Sequence, residues 1–469
     1  GGIPISMSRL IAEKRALGES ASGILKAGAL IVFVSSLLSA AAIFALSNFL
    51  AAAQGNGEAA EIYKAIAPAV FFASGIAFFK GWAQGNMDMV PSSLALLVEQ
   101  AAKLAAGLAL ASYLLPRGIS YAVSGAVFGI VIAEAAAFIV TAITVAVRHR
   151  APKDLAPAFV MPRERLKKEH IKLVVKTASL ITIGTLLIPF SQFIDSFLII
   201  NLLKSSGEST AAATSGFGIL TAPVASLINL PIVCAISLAI VIVPAVSASR
   251  AERNLDGVLK KSALSVKVAY VIGLPASLLI FSFATPILNL LYPALSDGEI
   301  WLAARLLRVA AFEIIFMSGI QIYTALLQAL DRTIVPVRNL AASVALKVIL
   351  TLFLVPRMGV LGAVTASLSM AFTAWLFDVI YIKKYIGNNQ KLMQNISVIL
   401  SSGVIMVTVA VLFARFIESG TTAFLIGAPL SFALYLTLIS AFKVFDAEEI
   451  EGLPIIGRLV KPAKGTTND

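Results

Sequence analysis

The chain has 469 residues, of which 59% are hydrophobic and 13% charged. That composition excludes a soluble globular protein, whose usage is nearer half apolar and a quarter charged. Its formal net charge of +12 comes from Lys and Arg gathered between apolar runs, so it points to membrane topology and not to nucleic acid.

The first stretch, Gly1 to Ser22, is amphipathic and basic, with Arg9, Lys14 and Arg15, and lacks the charged start and cleavage site of a signal peptide. Apolar runs long enough to span a bilayer follow at about 23–50, 62–83, 91–115 and 119–147. After a polar interval they resume at about 172–202, 209–247, 262–286, 300–328, 336–355, 360–382, 393–416 and 421–443. This gives about twelve helices in an all-α polytopic fold, the over-long run at 209–247 being bent by Pro223 and Pro231. Loops alternate in charge. Lys14 and Arg15, the polar interval, Arg250 with Lys260 and Lys261, Arg332 with Arg338, and Lys383 with Lys384 fall on one side. Glu58 and Glu61, Lys204 with Glu208, Asp297 with Glu299, and Glu418 fall on the other. The basic side is expected to be cytoplasmic, which places both ends of the chain there, in a bacterial-type cell membrane.

The polar interval Arg148 to Lys176 carries Pro152, Pro157 and Pro162 and both histidines, His149 and His170. The expected organisation is an N-terminal lobe (1–147), a cytoplasmic linker (148–171), a C-terminal lobe (172–391), an appended helix pair (392–445) and a polar cytoplasmic tail (446–469). With Cys234 the only cysteine, no internal disulfide and no Cys/His metal site are expected. The sequence has no G-x-x-x-x-G-K-[ST] phosphate loop, so transport, if that is the task, is expected to run on a Na+ or H+ gradient, the membrane potential or the substrate's own gradient, without a cofactor and without enzymatic chemistry.

An internal repeat is visible in the chain itself. I-P-I-S-M-S-R from Ile3 matches V-P-A-V-S-A-S-R from Val243, and Ser74-Gly75-Ile76 matches Ser318-Gly319-Ile320. Gln84 matches Gln328, Val90-Pro91 matches Val335-Pro336, Lys103 matches Lys347, L-P-R-G from Leu115 matches V-P-R-M-G from Val355, and Ala122-Val123-Ser124 matches Ala363-Val364-Thr365. The offset stays near about 240 residues, so the halves are parallel repeats, an arrangement known among secondary transporters. Because the second half has two helices before Pro244 and the first has three residues before Pro4, the repeat predicts a parent of about fourteen helices whose first two, roughly 70 residues, precede Gly1.

Ionisable groups within spans are costly and mark functional candidates. Lys103 sits mid-helix with Glu99 at i−4 and Gln100 beside it, a spacing that suits either a self-neutralised pair or an anion site. Lys347, its repeat partner, has Ser343 and Thr351 at i−4 and i+4, so no acid of its own helix can pair with it. Two pseudo-symmetric ammonium groups facing a central cavity would hold a diphosphate. Glu134, Asp195, Glu313 and Asp378 are the intramembrane acids, the first three being candidates for ion coupling. Glu313 shares its helix with Arg305 and Arg308, placed nearer the outer face, which reads as an ion network or an outer cationic patch. Asp195 has only Gln192, Ser191 and Ser196 as local polar company, which suits a protonatable or cation-binding carboxylate or a hydrogen bond between helices. Lys80 and Lys267 lie near the cytoplasmic ends, where lysines snorkel. Pro68, Pro189, Pro231 and Pro275, with Gly75, Gly107, Gly184 and Gly319, supply kinks and close packing.

At G-I-P-I-S-M-S-R-L-I-A-E-K-R-A-L-G, F-F-K-G-W-A-Q-G-N-M-D-M-V-P-S-S-L-A-L-L-V-E-Q-A-A-K and I-N-L-P…I-V-P-A-V-S the sequence resembles the polysaccharide-biosynthesis and stage V sporulation protein B branch of the multidrug/oligosaccharidyl-lipid/polysaccharide exporter superfamily. MurJ-type lipid II flippases belong to the same superfamily. The resemblance covers nearly the whole chain and implies two parallel six-helix lobes, a final helix pair, and movement of a polyprenyl-diphosphate-linked glycan, such as a cell-wall precursor, by alternating access. Two of the cavity arginines of the MurJ type lie on helices before Gly1, and the third falls at Ser226, a departure that leaves Lys103, Glu99, Gln100 and Lys347 as the expected substitutes. The final pair, about 393–416 and 421–443, would form a lipid-sized groove. Implied partners are the glycan lipid, the bilayer and cell-wall synthases, with no nucleic acid and a monomeric chain. The competing function is a cation-coupled multidrug antiporter on the same fold, which Asp195 and Glu134 suit and the lysines do not; a scaffold that recruits cell-wall synthases without transporting is the third reading.

Overall fold

A computed structural model of the chain describes residues 2–16, 20–57, 59–86, 88–148, 167–251, 253–330, 332–386, 390–446 and 449. Most of the expected linker (149–166, with His149), Glu58 and most of the expected tail lie outside the described residues. Among those described, all regular structure is helical, and 11 helices are long and apolar enough to cross a membrane. The twelfth crossing, expected at about 300–328, is present as two shorter helices.

The chain divides into two compact units, Gly1–Phe193 and Ile194–Asp469. The first holds α1 (Gly2–Ala16), α2 (Ser22–Ala45), α3 (Ser47–Ala53), α4 (Ala59–Gly85), α5 (Val90–Leu114), α6 (Ile119–Arg148) and the first part of α7 (Lys168–Ser205). The second holds the end of α7, then α8 (Thr210–Ile219), α9 (Ala225–Ala251), α10 (Leu255–Ser282), α11 (Ala284–Leu291), α12 (Asp297–Ala310), α13 (Glu313–Ala329), α14 (Ile334–Met358), α15 (Val360–Ile386), α16 (Gln390–Phe416) and α17 (Gly420–Ala441).

The sequence repeat is a repeat of helices. The order α2, α3, α4, α5, α6 recurs as α10, α11, α12 with α13, α14, α15. Partners recur too: α4 packs on α1, α2 and α6, and α13 packs on α9, α10 and α15, while α5 pairs with α6 as α14 pairs with α15. The matched motifs L-P-R-G and V-P-R-M-G end one helix of each of these hairpins, and their glycines, Gly118 (φ 125°) and Gly359 (φ 62°), take the positive φ that side chains with a Cβ resist. Close backbone approach then needs a second glycine in each hairpin. A Cβ on Gly129 would lie 2.5 Å from the backbone of Gly107, and one on Gly362 would lie 2.5 Å from the Leu354 carbonyl.

In the first unit, Met7, Leu10 and Ile11 of α1 are buried with Ile24, Leu25, Trp82 and Val174, so the basic N-terminal stretch is a packed helix. Two buried clusters organise the second unit. One joins the ends of α7 and α14 to α11 and α12, and the other joins α9, α10 and α13 to α15, α16 and α17. Much of what faces outward is also apolar, Phe33, Leu38 and Phe49 among it, as a lipid-facing surface requires. Helix starts at the polar ends are capped by side chains: Ser209 accepts from the Ala212 amide at 3.2 Å, and Ser296 with Glu299 forms a capping box.

Two irregularities interrupt the helices of the second unit. The over-long run is interrupted by a π-helical turn, Leu220–Val224, which contains Pro223, while the backbone stays helical through Pro231. The α12–α13 crossing breaks at Ala311 and Phe312, although neither residue is Pro or Gly. The repeat-equivalent position in α4 is Pro68, which that helix absorbs without ending.

Candidate functional site

The break before α13 decides where Glu313 stands. It becomes the first residue of α13, where the positive end of the helix favours a carboxylate. Its side chain has no hydrogen bond or ion pair among the described residues. The charged groups that act on it electrostatically are Lys347 of α14 and Asp195 of α7. Arg305 and Arg308 do not form the ion network with Glu313 that their shared stretch suggested. Arg305 lies over the Trp301 ring of its own helix at 5.5 Å, and Arg308 donates to Thr285 Oγ1, in the first turn of α11, at 3.2 Å.

Lys347 finds its acid across the chain. Its Nζ lies 2.5 Å from Asp195 Oδ2, with side-chain exposures of 5% and 15%, so the pair is nearly closed off. The positions flanking Lys347 on α14, Ser343 and Thr351, are both fully buried and turn their hydroxyls to their own helix: Ser343 donates to the Asn339 carbonyl and Thr351 to the Lys347 carbonyl. Neither hydroxyl therefore competes with Asp195 for the ammonium. Beyond its local polar neighbours Asp195 thus makes a helix-to-helix contact that spans 152 positions of sequence. Chemically the group is an ammonium paired with the Asp195 carboxylate, with a second carboxylate, Glu313, in electrostatic reach.

A separate polar node lies where α13, α14 and α15 meet. Asp378, 2% exposed, accepts from Asn339 Nδ2 at 2.8 Å and from Thr324 Oγ1 at 3.5 Å. Its neighbours in sequence extend it, since Arg338 hydrogen-bonds the Tyr381 hydroxyl. Each of these groups is satisfied by another helix, which is how polar side chains tie membrane helices together.

The first unit carries its own charged group. Lys103 Nζ lies 3.0 Å from Glu99 on the same helix, and Gln100 Nε2 donates to Glu99 at 3.3 Å. Glu134 of α6 has no hydrogen bond or ion pair among the described residues and feels Glu99, Lys103 and Lys80. Ser226 is exposed on the first turn of α9 and makes no hydrogen bond among the described residues. Lys267 does not snorkel: it is 2% exposed and grips Glu449 at 2.5 Å, because the chain after α17 folds back over it. The sequence offered no local sign of the Asp195 or Glu449 contacts; the one available signal was that α14 has no acid for Lys347.

A helical membrane fold built from parallel repeats, with buried ion pairs inside its bundles, is an architecture of polytopic membrane transporters. Comparisons with known proteins agree. The profile of the family described as polysaccharide biosynthesis protein matches residues 1–250, and that of the MatE family matches residues 181–353. The chain belongs to the polysaccharide biosynthesis protein family, within the multidrug/oligosaccharidyl-lipid/polysaccharide exporter superfamily. It is 25% identical to Stage V sporulation protein B of Bacillus subtilis (strain 168), over 98% of this chain and 88% of the relative. Its fold is similar to that of the lipid II flippase MurJ in an inward closed conformation, with TM-score 0.67, 16% identity, and coverage of 94% of this chain and 88% of that one. It is also similar to an inward-facing multidrug resistance MATE family transporter, with TM-score 0.60, 15% identity, and coverage of 95% and 88%.

Proposed function

We propose that this protein moves a polyprenyl-diphosphate-linked glycan across the cytoplasmic membrane by alternating access, with its basic loops on the cytoplasmic side. The observation that carries the reading is the buried Lys347–Asp195 pair with Glu313 beside it. A buried ammonium must always have an anionic partner, so it can exchange one for another but cannot stand alone. Protonation of Asp195 removes its claim on Lys347 and leaves the ammonium to a phosphate oxygen of the substrate. Loss of that proton restores the pair and releases the phosphate. Glu313 is the adjacent carboxylate through which the proton passes, which couples movement to H+. In the first unit Lys103, with Glu99 and Gln100, supplies a second ammonium of the same chemistry, and Glu134 is the corresponding proton carrier. The similarity to Stage V sporulation protein B supports a role in building a cell-envelope or spore glycan, with cell-wall synthases as the neighbouring enzymes and the chain acting as a monomer.

The MatE match over residues 181–353 favours a second reading, a cation-coupled multidrug antiporter in which Asp195, Glu134 or Glu313 receives an organic cation. Native mass spectrometry of the purified protein with a polyprenyl-diphosphate sugar, and with a cationic dye as competitor, separates the two. Retention of the lipid that Lys103→Ala with Lys347→Met and Asp195→Asn abolishes, in protein that still unfolds cooperatively, is the expected result. Dye bound in dependence on Asp195 or Glu134, with no lipid retained, would overturn it.

A further inference from the structure

At the end of the second unit where α10 and α16 begin, a cavity of about 270 Å³ is lined by Asp256, Lys260, Lys267, Lys391, Asn395, Asp446 and Glu449, together with apolar atoms of Leu259, Ala263 and Leu392. It is unrelated to the Lys347 group. On α10, Asp256, Lys260, Ala263 and Lys267 recur at helical spacing and so share one face, and Lys391 and Asn395 do the same on α16. Both helices start here, so the positive ends of their peptide dipoles point toward the cavity.

The lysines already act as anion receptors. After α17 the chain turns at Lys443, whose φ of 49° reverses its direction, and lays Val444 to Asp446 and Glu449 over α10. The buried Lys267 ammonium receives both Glu449 oxygens, at 2.6 and 2.5 Å, and donates to the Val444 carbonyl at 3.1 Å. The Phe445 ring closes over it at 5.4 Å. Lys391 holds Asp446 at 2.7 Å, and that hydrogen bond keeps the Asp446 carboxyl below the ordinary aspartate range. Two of the three lysines are thus filled by carboxylates of the returning segment, and the two contacts differ. Lys267 with Glu449 is buried, while Lys391 and Asp446 are 67% and 51% exposed. Lys260 and Asn395 have no hydrogen bond or ion pair among the described residues. Asp256, in the first turn of α10, is the one unpaired carboxylate on the wall.

We infer that this cavity binds a phosphate group, through Lys260 and Asn395 and, once Asp446 yields it, Lys391, and that the Asp446 carboxylate is an internal competitor for that phosphate. The volume admits a headgroup-sized fragment and is below the span of drug-sized sites, about 300–1,000 Å³. The basic ends of neighbouring membrane helices are where phospholipid headgroups are received. The same chemistry serves a lipid phosphate and free phosphate. Glu449 remains in place throughout, since Lys267 is buried and needs it.

The test uses the full chain in an uncharged maltoside detergent, titrated with dihexanoyl-phosphatidylglycerol, with inorganic phosphate, and with uncharged dihexanoylglycerol, and read by native mass spectrometry. Saturable binding of the phospholipid, absent for dihexanoylglycerol, is expected, and Lys260→Ala should weaken it about tenfold, the loss expected for one charge-assisted contact. Asp446→Asn should tighten it by releasing Lys391, and Lys384→Ala, an exposed position of α15 that does not line the cavity, should leave it unchanged. Competition by millimolar inorganic phosphate would support the site and make free phosphate a sufficient ligand; no competition would support it and make the lipid the source. Equal binding of the phospholipid and dihexanoylglycerol, or an affinity that neither Lys260→Ala nor Asp446→Asn changes, would overturn the inference. Cooperative unfolding of each variant, followed by intrinsic fluorescence, shows that the loss is not one of folding.

Discussion

Each unit places a lysine at the same position of the repeat, and each lysine has a carboxylate, but the two pairs are different devices. Lys103 bonds Glu99 one turn away on its own helix at 3.0 Å, with 34% of its side chain exposed. Lys347 bonds Asp195 of another helix at 2.5 Å, with 5% of its side chain exposed. A pair within one helix survives any movement of that helix against its neighbours. A pair between helices exists only while those helices stay in register. The second contact can therefore report and control a change of conformation, and the first cannot. Around both pairs the pattern is shared again, with one unpaired acid nearby, Glu134 in the first unit and Glu313 in the second.

The largest expected effect comes from breaking the inter-helix pair. Removing one partner leaves a charge in the membrane interior, which costs about 3–5 kcal/mol. Lys347→Ala and Asp195→Asn should each lower the thermal unfolding midpoint of the purified protein strongly. The combination of Lys347→Met with Asp195→Asn should recover most of the midpoint while transport stays lost. Recovery of transport along with stability would mean that the pair is only structural.

The next effect should be equal in the two units and so tests the repeat itself. Gly129→Ala and Gly362→Ala each drive a methyl group to 2.5 Å from the backbone of the paired helix, and each should cost about 1–3 kcal/mol. Gly107→Ala, whose Cβ meets nothing nearer than the Ala126 carbonyl at 3.7 Å, should be neutral by the same measurement. A large loss at Gly107 would show that the two hairpins are not closed in the same way.

The intra-helix pair should give little. Lys103→Ala is expected to change stability by about 0.3–0.5 kcal/mol, the range of helix-surface pairs, and to lower lipid retention without moving the unfolding midpoint appreciably. A loss comparable to that of Lys347→Ala would end the distinction between a local pair and one that depends on conformation.

What could be read from the sequence follows the range of the interaction. The crossings were legible because each is a continuous apolar run, and the repeat because its motifs recur along the chain, Gly118 and Gly359 among them. The break at Ala311 and Phe312 was not: R-V-A-A-F-E-I-I contains no residue that ends a helix, whereas Pro68, which signals one, is absorbed within α4. Charge proximity along the chain misled in the same way. Arg305, Arg308 and Glu313 are neighbours in sequence and do not pair, while Lys347 and Asp195 are 152 residues apart and do. Lys267 was legible as a cation near a membrane edge, but the segment carrying Glu449 lies 182 residues further on, and only the fold brings it back.

The smallest effect separates two kinds of contact within the second unit. Asp446 is held below the ordinary aspartate range first by its hydrogen bond from Lys391 and also by the charges of Lys391, Lys267 and Lys260. A carboxyl whose pKa is lowered in the folded state contributes stability above its unfolded value, near 3.8, and loses it as pH falls through the lower folded value. Because both side chains are exposed, the consequence should be local: relative to the intrinsic rate at each pH, amide exchange in the turn after α17 should not change from pH 7 to pH 5 and should rise by about twofold below about pH 4, with the unfolding midpoint unmoved. Asp446→Asn should show the faster exchange already at pH 7 and no further rise on acidification. A rise confined to pH 5–7 in the wild type would assign the opening to a different group and leave the Lys391–Asp446 contact without a role in holding the segment.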